Sequence, residues 1–507
     1  AALLSNLQKN PELKAVLLEE TPWVLEAKSE NERKKNIGLL FDLMRMKEQL
    51  STTYDKLKQM QLDNGGFVWF KGGPDDRYIT QYIVTGIGHL KKLKAYKTQG
   101  DGPLKAILET AIPYLDKKLK ADYDELIRYK TKLTTYTPGY TTIQYLYMRS
   151  FFPEYPIAKA SLTAYNYFRG RVQKTWTTQS KYMQGMTALA LSRTADAVTP
   201  KAILKSLKET SISNEELGMY WKSNAGWYWY EAPIETQALL IEAFGEAGKD
   251  TATVDALKTW LLKNKQTNDW KTTKATAEAC YALLLQGTQW LESDAKVEIR
   301  LGNTSIRSDE VKTEEGTGYF KQTIPAEKIG PDMGNITVTV NGQSSSPSWG
   351  AVYWQYFEDL DKITPSATPL KLVKKLFVEK NTDRGPVLEP VNEGDVLHVG
   401  DKIKVRVELR VDRDMEYVHM KDMRASCLEP VNVLSEYKWQ GGLGYYESTR
   451  DASTNFFFSY LNKGTYVFEY PLFVTHTGNF SNGITSIQCM YAPEFSAHSE
   501  GIRINVE

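Results

Sequence analysis

One short pattern recurs through the first half of this chain: an aromatic turn followed at once by a helix with an apolar stripe. Its fullest copy is GWYWYEAPIETQALLIEAFG at residues 226–245. GGFVWF at 65–70 leads into ITQYIVTGIGHL at 79–90, and Asp269-Trp270 leads into TAEACYALLL at 276–285. In the second copy Ile79, Tyr82, Ile83, Gly86, Ile87 and Leu90 fall on one helical face. A helix with one apolar face cannot bury it alone, so repeated units of this kind stack into a solenoid or close into a ring. Aromatic turns recurring on one end favour the closed ring, an α/α toroid of helical hairpins.

A chain of 507 residues exceeds one hydrophobic core and implies two to four domains. Residues 1–62 read as helices, with Leu39, Leu40, Leu43 and Met44 on one face and Thr21-Pro22 as a start signal. A helical hairpin is expected over 104–119 and 123–133. Further helices are expected at 141–148, 165–171 and 183–193, and Thr199-Pro200 opens another. After Trp290 the period changes. KVEIRLGN, TGYFKQTIP and NITVTVNG alternate apolar and polar residues as strands do, and VYWQYFEDL closes the segment. From about residue 365 onward, short strands such as LKLVKKLFVE, DKIKVRVELRV, NFFFSYL, TYVFEYPLFVT and ITSIQCMYA predict an antiparallel β-sandwich. The expected organisation is therefore multidomain α + β. It comprises a toroid over 1–290, a β-strand segment over 291–358 and a C-terminal sandwich over 359–507.

Lys and Arg number 63 against 62 Asp and Glu, a balance that advertises no nucleic-acid or anionic-membrane partner. No run of eighteen apolar residues spans a membrane. The first residues, AALLSNLQKN, have neither the basic flank nor the apolar core of a signal peptide and read as the edge of a longer chain. Cys280, Cys427 and Cys489 match no zinc spacing. Cys280 is expected to be a small buried hydrophobe, while Cys427 and Cys489 leave pairing open.

No GxSxG, HExxH, Walker or Rossmann fingerprint is present. Among the five histidines (His89, His398, His419, His476 and His498) no two stand at metal-ligand helical spacing. His89, at the end of a helical stripe, is expected in a cap or the core. Carboxylates do stand beside the aromatic turns, at Asp75, Asp76, Glu231, Glu235 and Asp269. Inverting glycosidases on α/α toroids place an acid and a base at such turns. The plainer reading is that Glu231 and Glu235 favour the positive end of a helix. No cofactor or metal is expected.

ELKAVLLEETPWVLEA, GGFVWFKGGPDDRYITQYIVTGIGHL and GWYWYEAPIETQALLIEAF resemble the thioester domain of bacterial α2-macroglobulin-family proteins. RDMEYVHMKDMRASCLEP and the run from GYYESTRDASTNFFFSYL to MYAPEFSAHSEG resemble the family's last macroglobulin-like domain. The resemblance implies a toroid inserted in a CUB-like β-domain, of which 291–358 would be the return half. It implies an endopeptidase inhibitor rather than an enzyme, one that traps target proteases in the periplasm or cell envelope. It also implies, in many members, a Cys-x-x-Gln thioester. This chain has none: Cys280 is followed by Tyr281, Ala282 and Leu283. Met490 and Tyr491 fall where relatives carry a Met-Tyr pair that shields the thioester from water. The alternative, that they end a strand and pack in the sandwich, stays open. Two other classes stand beside the inhibitor: a toroid-based polysaccharide lyase or glycosidase, and a cell-envelope scaffold.

Overall fold

A computed structural model of the chain describes residues 43–95, 102–222, 233–285, 296–311, 319–342, 350–440 and 442–507. The helices expected before residue 43 and the aromatic turn at 226–231 lie outside the described residues. Two compact units are distinguished, one running to Leu261 and resuming at Trp270, the other holding Leu262–Asp269 and the residues from 350 to the end. The fold is multidomain α + β, with helices first and antiparallel sheets after.

The helical unit alternates inner and outer helices. Its inner helices are Arg77–Lys92, Tyr140–Arg149, Lys181–Arg193, Pro233–Ala243 and Thr273–Leu284, each packed on the next. Pro103–Arg128, Lys159–Thr175 and Thr199–Glu209 run outside them, followed by Thr251–Thr267, whose residues up to Leu261 belong to this unit. The ring closes. His89 of the first inner helix stacks on Tyr281 of the fifth, with ring centroids 3.7 Å apart and planes 7° from parallel.

Local chemistry explains how each inner helix starts and stops. Asp76 sits in extended backbone and accepts the Ile79 N–H at 2.9 Å, satisfying an amide that the first turn leaves over. The helix then buries Thr80, Gln81, Val84, Ile87, Gly88 and His89. It ends where Lys94 takes a left-handed φ of 60°, with Lys94 N–H bonded to Lys91 O and Ala95 N–H to Leu90 O, both at 3.0 Å. Gly88 is required by packing, because a Cβ there would come within 2.6 Å of the Phe151 ring. The GGFVWF turn is a small ribbon in which Phe67–Val68 pairs with Asp75–Asp76; it buries Phe67 and leaves Trp69 and Phe70 exposed.

The hairpin expected at 104–119 and 123–133 is instead one helix, Pro103–Arg128, with Pro113 inside it. Lys120, Ala121 and Asp122 offer no break, and the helix stops only at Lys130, again left-handed, with Thr131 N–H returning to Leu126 O at 2.9 Å. Cys280 is exposed, not buried, because the Thr273–Leu284 helix turns Ala279, Tyr281 and Ala282 inward instead.

A three-stranded sheet follows, with Lys296–Leu301 between Thr304–Arg307 and Ile336–Asn341. Residues 319–325, expected as part of a strand, form none. Residues 350–359, including the aromatic VYWQYFED run, carry no regular structure and are exposed.

The terminal sandwich pairs a five-stranded with a six-stranded antiparallel sheet. The first runs in the order Leu428–Pro430, Gly464–Val474, Lys402–Val411, Leu370–Thr382, Gly385–Pro390. The second runs Glu436–Gln440, Leu443–Arg450, Ser453–Leu461, Met415–Met423, Thr485–Cys489, Ser496–His498. Alternation drives it. In KIKVRVELRV the residues Ile403, Val405, Val407, Leu409 and Val411 face the core while the charged residues between them face out. Each such side chain contributes roughly 1.5–3 kcal/mol by leaving water. Phe456, Phe458, Phe468 and Tyr445 fill the middle with ring centroids 5.4–5.8 Å apart. Cys427 and Cys489 are both buried there as thiols, unpaired with each other.

Candidate functional site

The inner helices converge on a buried polar centre. His89 Nε2 lies 3.0 Å from the Tyr147 hydroxyl, which donates to Glu242 Oε2. Glu242 Oε1 accepts from Tyr281 at 2.7 Å and from Arg193 at 2.5 Å. Arg193 also holds Glu246 through two bonds of 2.9 and 2.6 Å and lies 4.0 Å from the Phe151 ring centroid. Burial alone would lower the Arg193 pKa, but Glu242 and Glu246 outweigh it and hold the guanidinium charged. Burial pushes His89 down to about 4 and Glu278 up to about 8. At pH 7 both are therefore neutral, and the 3.9 Å approach of His89 Nδ1 to Glu278 Oε2 is a polar contact rather than an ion pair. His89 is thus a core histidine, bonded through Nε2 to Tyr147 and stacked on Tyr281. A satisfied network of this kind fixes geometry; it does not present a reactive atom.

The end of the ring where the inner helices begin is lined differently. Tyr78, Tyr82, Tyr140 and Tyr182 form a chain of rings 6.3–6.4 Å apart, and Lys274 lies over Tyr82 and Tyr182. Burial pushes Tyr78, Tyr82 and Tyr182 well above the ordinary tyrosine range, so each keeps its proton at neutral pH. Glu235 opens the fourth inner helix, 1% exposed, with its pKa raised by burial against the pull of Lys274. Glu231, its suggested companion, lies outside the described residues. Asp75 and Asp76 are spoken for locally: Asp75 accepts from Tyr114 at 2.5 Å and pairs with Lys118 at 3.1 Å, while Asp76 caps its helix. Asp269 lies 3.4 Å from Lys265. Among the described residues no group of three His, Cys, Asp or Glu side chains is placed to hold a metal.

Met490 and Tyr491 occupy the turn between the Thr485–Cys489 and Ser496–His498 strands. The Met490 N–H donates to Tyr417 O at 2.9 Å, and the side chain is 42% exposed. Tyr491 is half-buried and meets Tyr417 edge-on, with centroids 5.1 Å apart at 80°. Tyr417 itself takes a φ of 53°, a backbone form that a bulky residue adopts only where neighbours hold it. Cys489, Ala492 and Phe495 on either side enter the sandwich core, whereas Met490 and Tyr491 do not. The turn thus has a firm base and an exposed tip. Tyr417 was missing from the reading of the sequence, and no local pattern would have singled it out.

No curated protein matches the chain. Among solved structures, Salmonella alpha-2-macroglobulin reacted with methylamine is 16% identical, with 89% of this chain and 27% of that one covered and a TM-score of 0.33. Trypsin-activated alpha-2-macroglobulin from Escherichia coli is 14% identical, covering 90% and 29%, with a TM-score of 0.38. A native Escherichia coli alpha-2-macroglobulin spanning domain MG7 to the C-terminus gives 14% identity, 90% and 67% coverage and a TM-score of 0.33. The chain spans little more than a quarter of the length of the first two. Likeness at such TM-scores carries no weight on its own. The family model described as the bacterial alpha-2-macroglobulin MG10 domain matches residues 370–494, the sandwich that holds Met490 and Tyr491. By that domain the chain is similar to the bacterial alpha-2-macroglobulins.

Proposed function

We propose that the chain is the toroid and terminal-domain part of a bacterial alpha-2-macroglobulin-like endopeptidase inhibitor, which traps proteases and is not itself an enzyme. The match of residues 370–494 to the MG10 domain carries this reading. The domains of the proposal are a thioester-type toroid over 1–290, a CUB-like return segment over 291–358 and a macroglobulin-like sandwich over 359–507. Its partners are target proteases, with no nucleic acid, and its place is the periplasm or cell envelope.

In this reading Met490 and Tyr491 are the contact that shields a thioester, since an activated acyl group survives only where water is excluded. An exposed methionine beside a tyrosine braced on Tyr417 suits that task. The chain holds no Cys-x-x-Gln, so it contributes the shield and not the reactive bond. The lyase and glycosidase readings have less support. A catalytic tyrosine or carboxylate needs a pKa near the working pH and access to substrate. Tyr78, Tyr82 and Tyr182 hold their protons too tightly, and Glu235 is closed off.

Incubation of the full-length protein with trypsin, followed on native and denaturing gels, tests the proposal. The expected outcome is a cleavage-dependent mobility shift with protease retained. Cleavage with neither shift nor retention overturns it.

A further inference from the structure

Lys374 occupies a core-facing position of the Leu370–Thr382 strand, between the buried Leu372 and Leu376. Asp422 occupies a core-facing position of Met415–Met423, in the opposite sheet. Their side chains are 1% and 0% exposed, and Lys374 Nζ lies 2.7 Å from Asp422 Oδ1. The Tyr470 hydroxyl donates to Asp422 Oδ2, and the Thr485 hydroxyl donates to Oδ1 at 2.6 Å. Lys374 Nζ also donates to the Met423 carbonyl at 2.6 Å. Nothing in the protease-trapping reading uses this cluster.

We propose that Lys374 and Asp422 are joined by an intramolecular isopeptide bond, formed once the sandwich has folded, which ties one sheet covalently to the other. Two charges buried this deeply carry a desolvation cost that their attraction does not reliably offset. Transfer of one proton from ammonium to carboxylate across the 2.7 Å contact gives the amine and the carboxylic acid. The amine lone pair then attacks Asp422 Cγ. The Nζ–Cγ bond forms, one Cγ–O bond breaks, and the departing oxygen takes the acid proton and one amine proton to leave as water. Ammonium plus carboxylate gives amide plus water, with no oxidant and no added reagent.

The surrounding groups fit each stage. Tyr470 and Thr485 hydroxyls already point at the two carboxyl oxygens, where negative charge grows as the carbon becomes tetrahedral. Burial holds the Tyr470 phenol protonated, so it remains a donor. Two groups fixed in contact react as though at effective molarities of about 10⁵–10⁸ M, enough to favour condensation that free molecules in water resist. The product is also well provided for. Its N–H keeps the Met423 carbonyl as acceptor, and the carboxyl oxygen that stays keeps its hydroxyl donor.

Intact-mass measurement of the denatured whole protein tests the proposal. The expected mass is one water below that of the sequence, and digestion should release one branched peptide joining Lys374 to Asp422. Lys374→Met and Asp422→Ala should each restore the full sequence mass. A wild-type protein at full mass, a water loss that maps elsewhere, or a loss that persists in Lys374→Met overturns it. The wild-type measurement decides the question even if both variants fail to fold, and it is independent of protease trapping.

Discussion

Around the axis of the helical ring, Tyr147, Arg193, Glu242 and Tyr281 arrive from four different helices and bond to one another. Between the sheets of the sandwich, Phe456, Phe458 and Phe468 fill the space, and charge is concentrated at Lys374 and Asp422. The difference follows from geometry. A sandwich presents two continuous faces, so alternating apolar side chains meet across a uniform gap. A ring has an axis toward which every inner helix must send something long enough to reach, and arginine, tyrosine and glutamate combine length with directed bonds. The ring is therefore specified by pairing and the sandwich by volume.

Arg193→Met is the strongest test of that contrast. It preserves much of the side-chain volume but leaves Glu242, 2% exposed, without its cation. A loss of about 3–5 kcal/mol is expected in denaturant unfolding of the helical unit. A loss below about 1 kcal/mol would mean that volume governs the ring as well.

A second test uses pH. Glu278 keeps its proton to about pH 8 when folded and loses it near 4.5 when unfolded. Its contribution is therefore complete below 4.5 and drains away as pH rises to 8. His89 runs the other way: the unfolded chain takes a proton near 6.5 and the folded one only near 4, so stability falls as pH drops through that window. The two trends oppose each other between 4.5 and 6.5, leaving a net decline from 6.5 to 8 worth on the order of a few kcal/mol. Thermal melts followed by far-UV circular dichroism should show it. Glu278→Gln should flatten it; an unchanged slope would point to another group, with Glu235, whose carboxyl is also pushed up by burial, the nearest candidate.

The smallest effect belongs to the sandwich surface. At Gly444 a new Cβ would meet the Tyr437 hydroxyl at 2.3 Å, but Tyr437 is exposed and free to swing aside. Gly444→Ala should cost no more than about 0.5 kcal/mol, the range of ordinary surface changes. It should still alter the tryptophan fluorescence, since Trp439 lies 3.2 Å from the same point. A cost above about 2 kcal/mol would make this face as tightly specified as the ring axis.

Much of the fold was legible in residues whose period is strict. The alternation of KIKVRVELRV appears as read. A helix stands where the Ile79–Leu90 stripe put one, but its buried face is Thr80, Gln81, Val84, Thr85, Ile87, Gly88 and His89, and Leu90 is exposed. Boundaries were harder, for a reason visible in the backbone. The turns after the helices use Lys94, Lys130, Ala195 and Lys249 in the left-handed form, where glycine would have announced the stop. That is why the helix ending at Arg128 was expected to run on to 133. The buried centre was illegible for a different reason. His89, Tyr147, Arg193, Glu242 and Tyr281 stand on five separate helices, and only closure of the ring makes them neighbours. Lys374 and Asp422 each sit on a core-facing position of a strand, which a pattern of apolar residues alone cannot explain and which would have been worth a question.

The stack of His89 on Tyr281 also has a consequence for how the chain is made. An open solenoid can nucleate at any repeat and grow outward, so a shortened version is still a smaller solenoid. In a ring the seam joins the first inner helix to the last, and the contact forms only after everything between them has been synthesised. Loop closure over so long a stretch is slow and is rewarded late. Until the Thr273–Leu284 helix emerges, the apolar flank of Arg77–Lys92 stays open, and a ribosome that stops early releases a molecule with an unmated edge. Completion of this unit is thus a single late event, and the cell's chaperones have the whole of its synthesis in which to be needed.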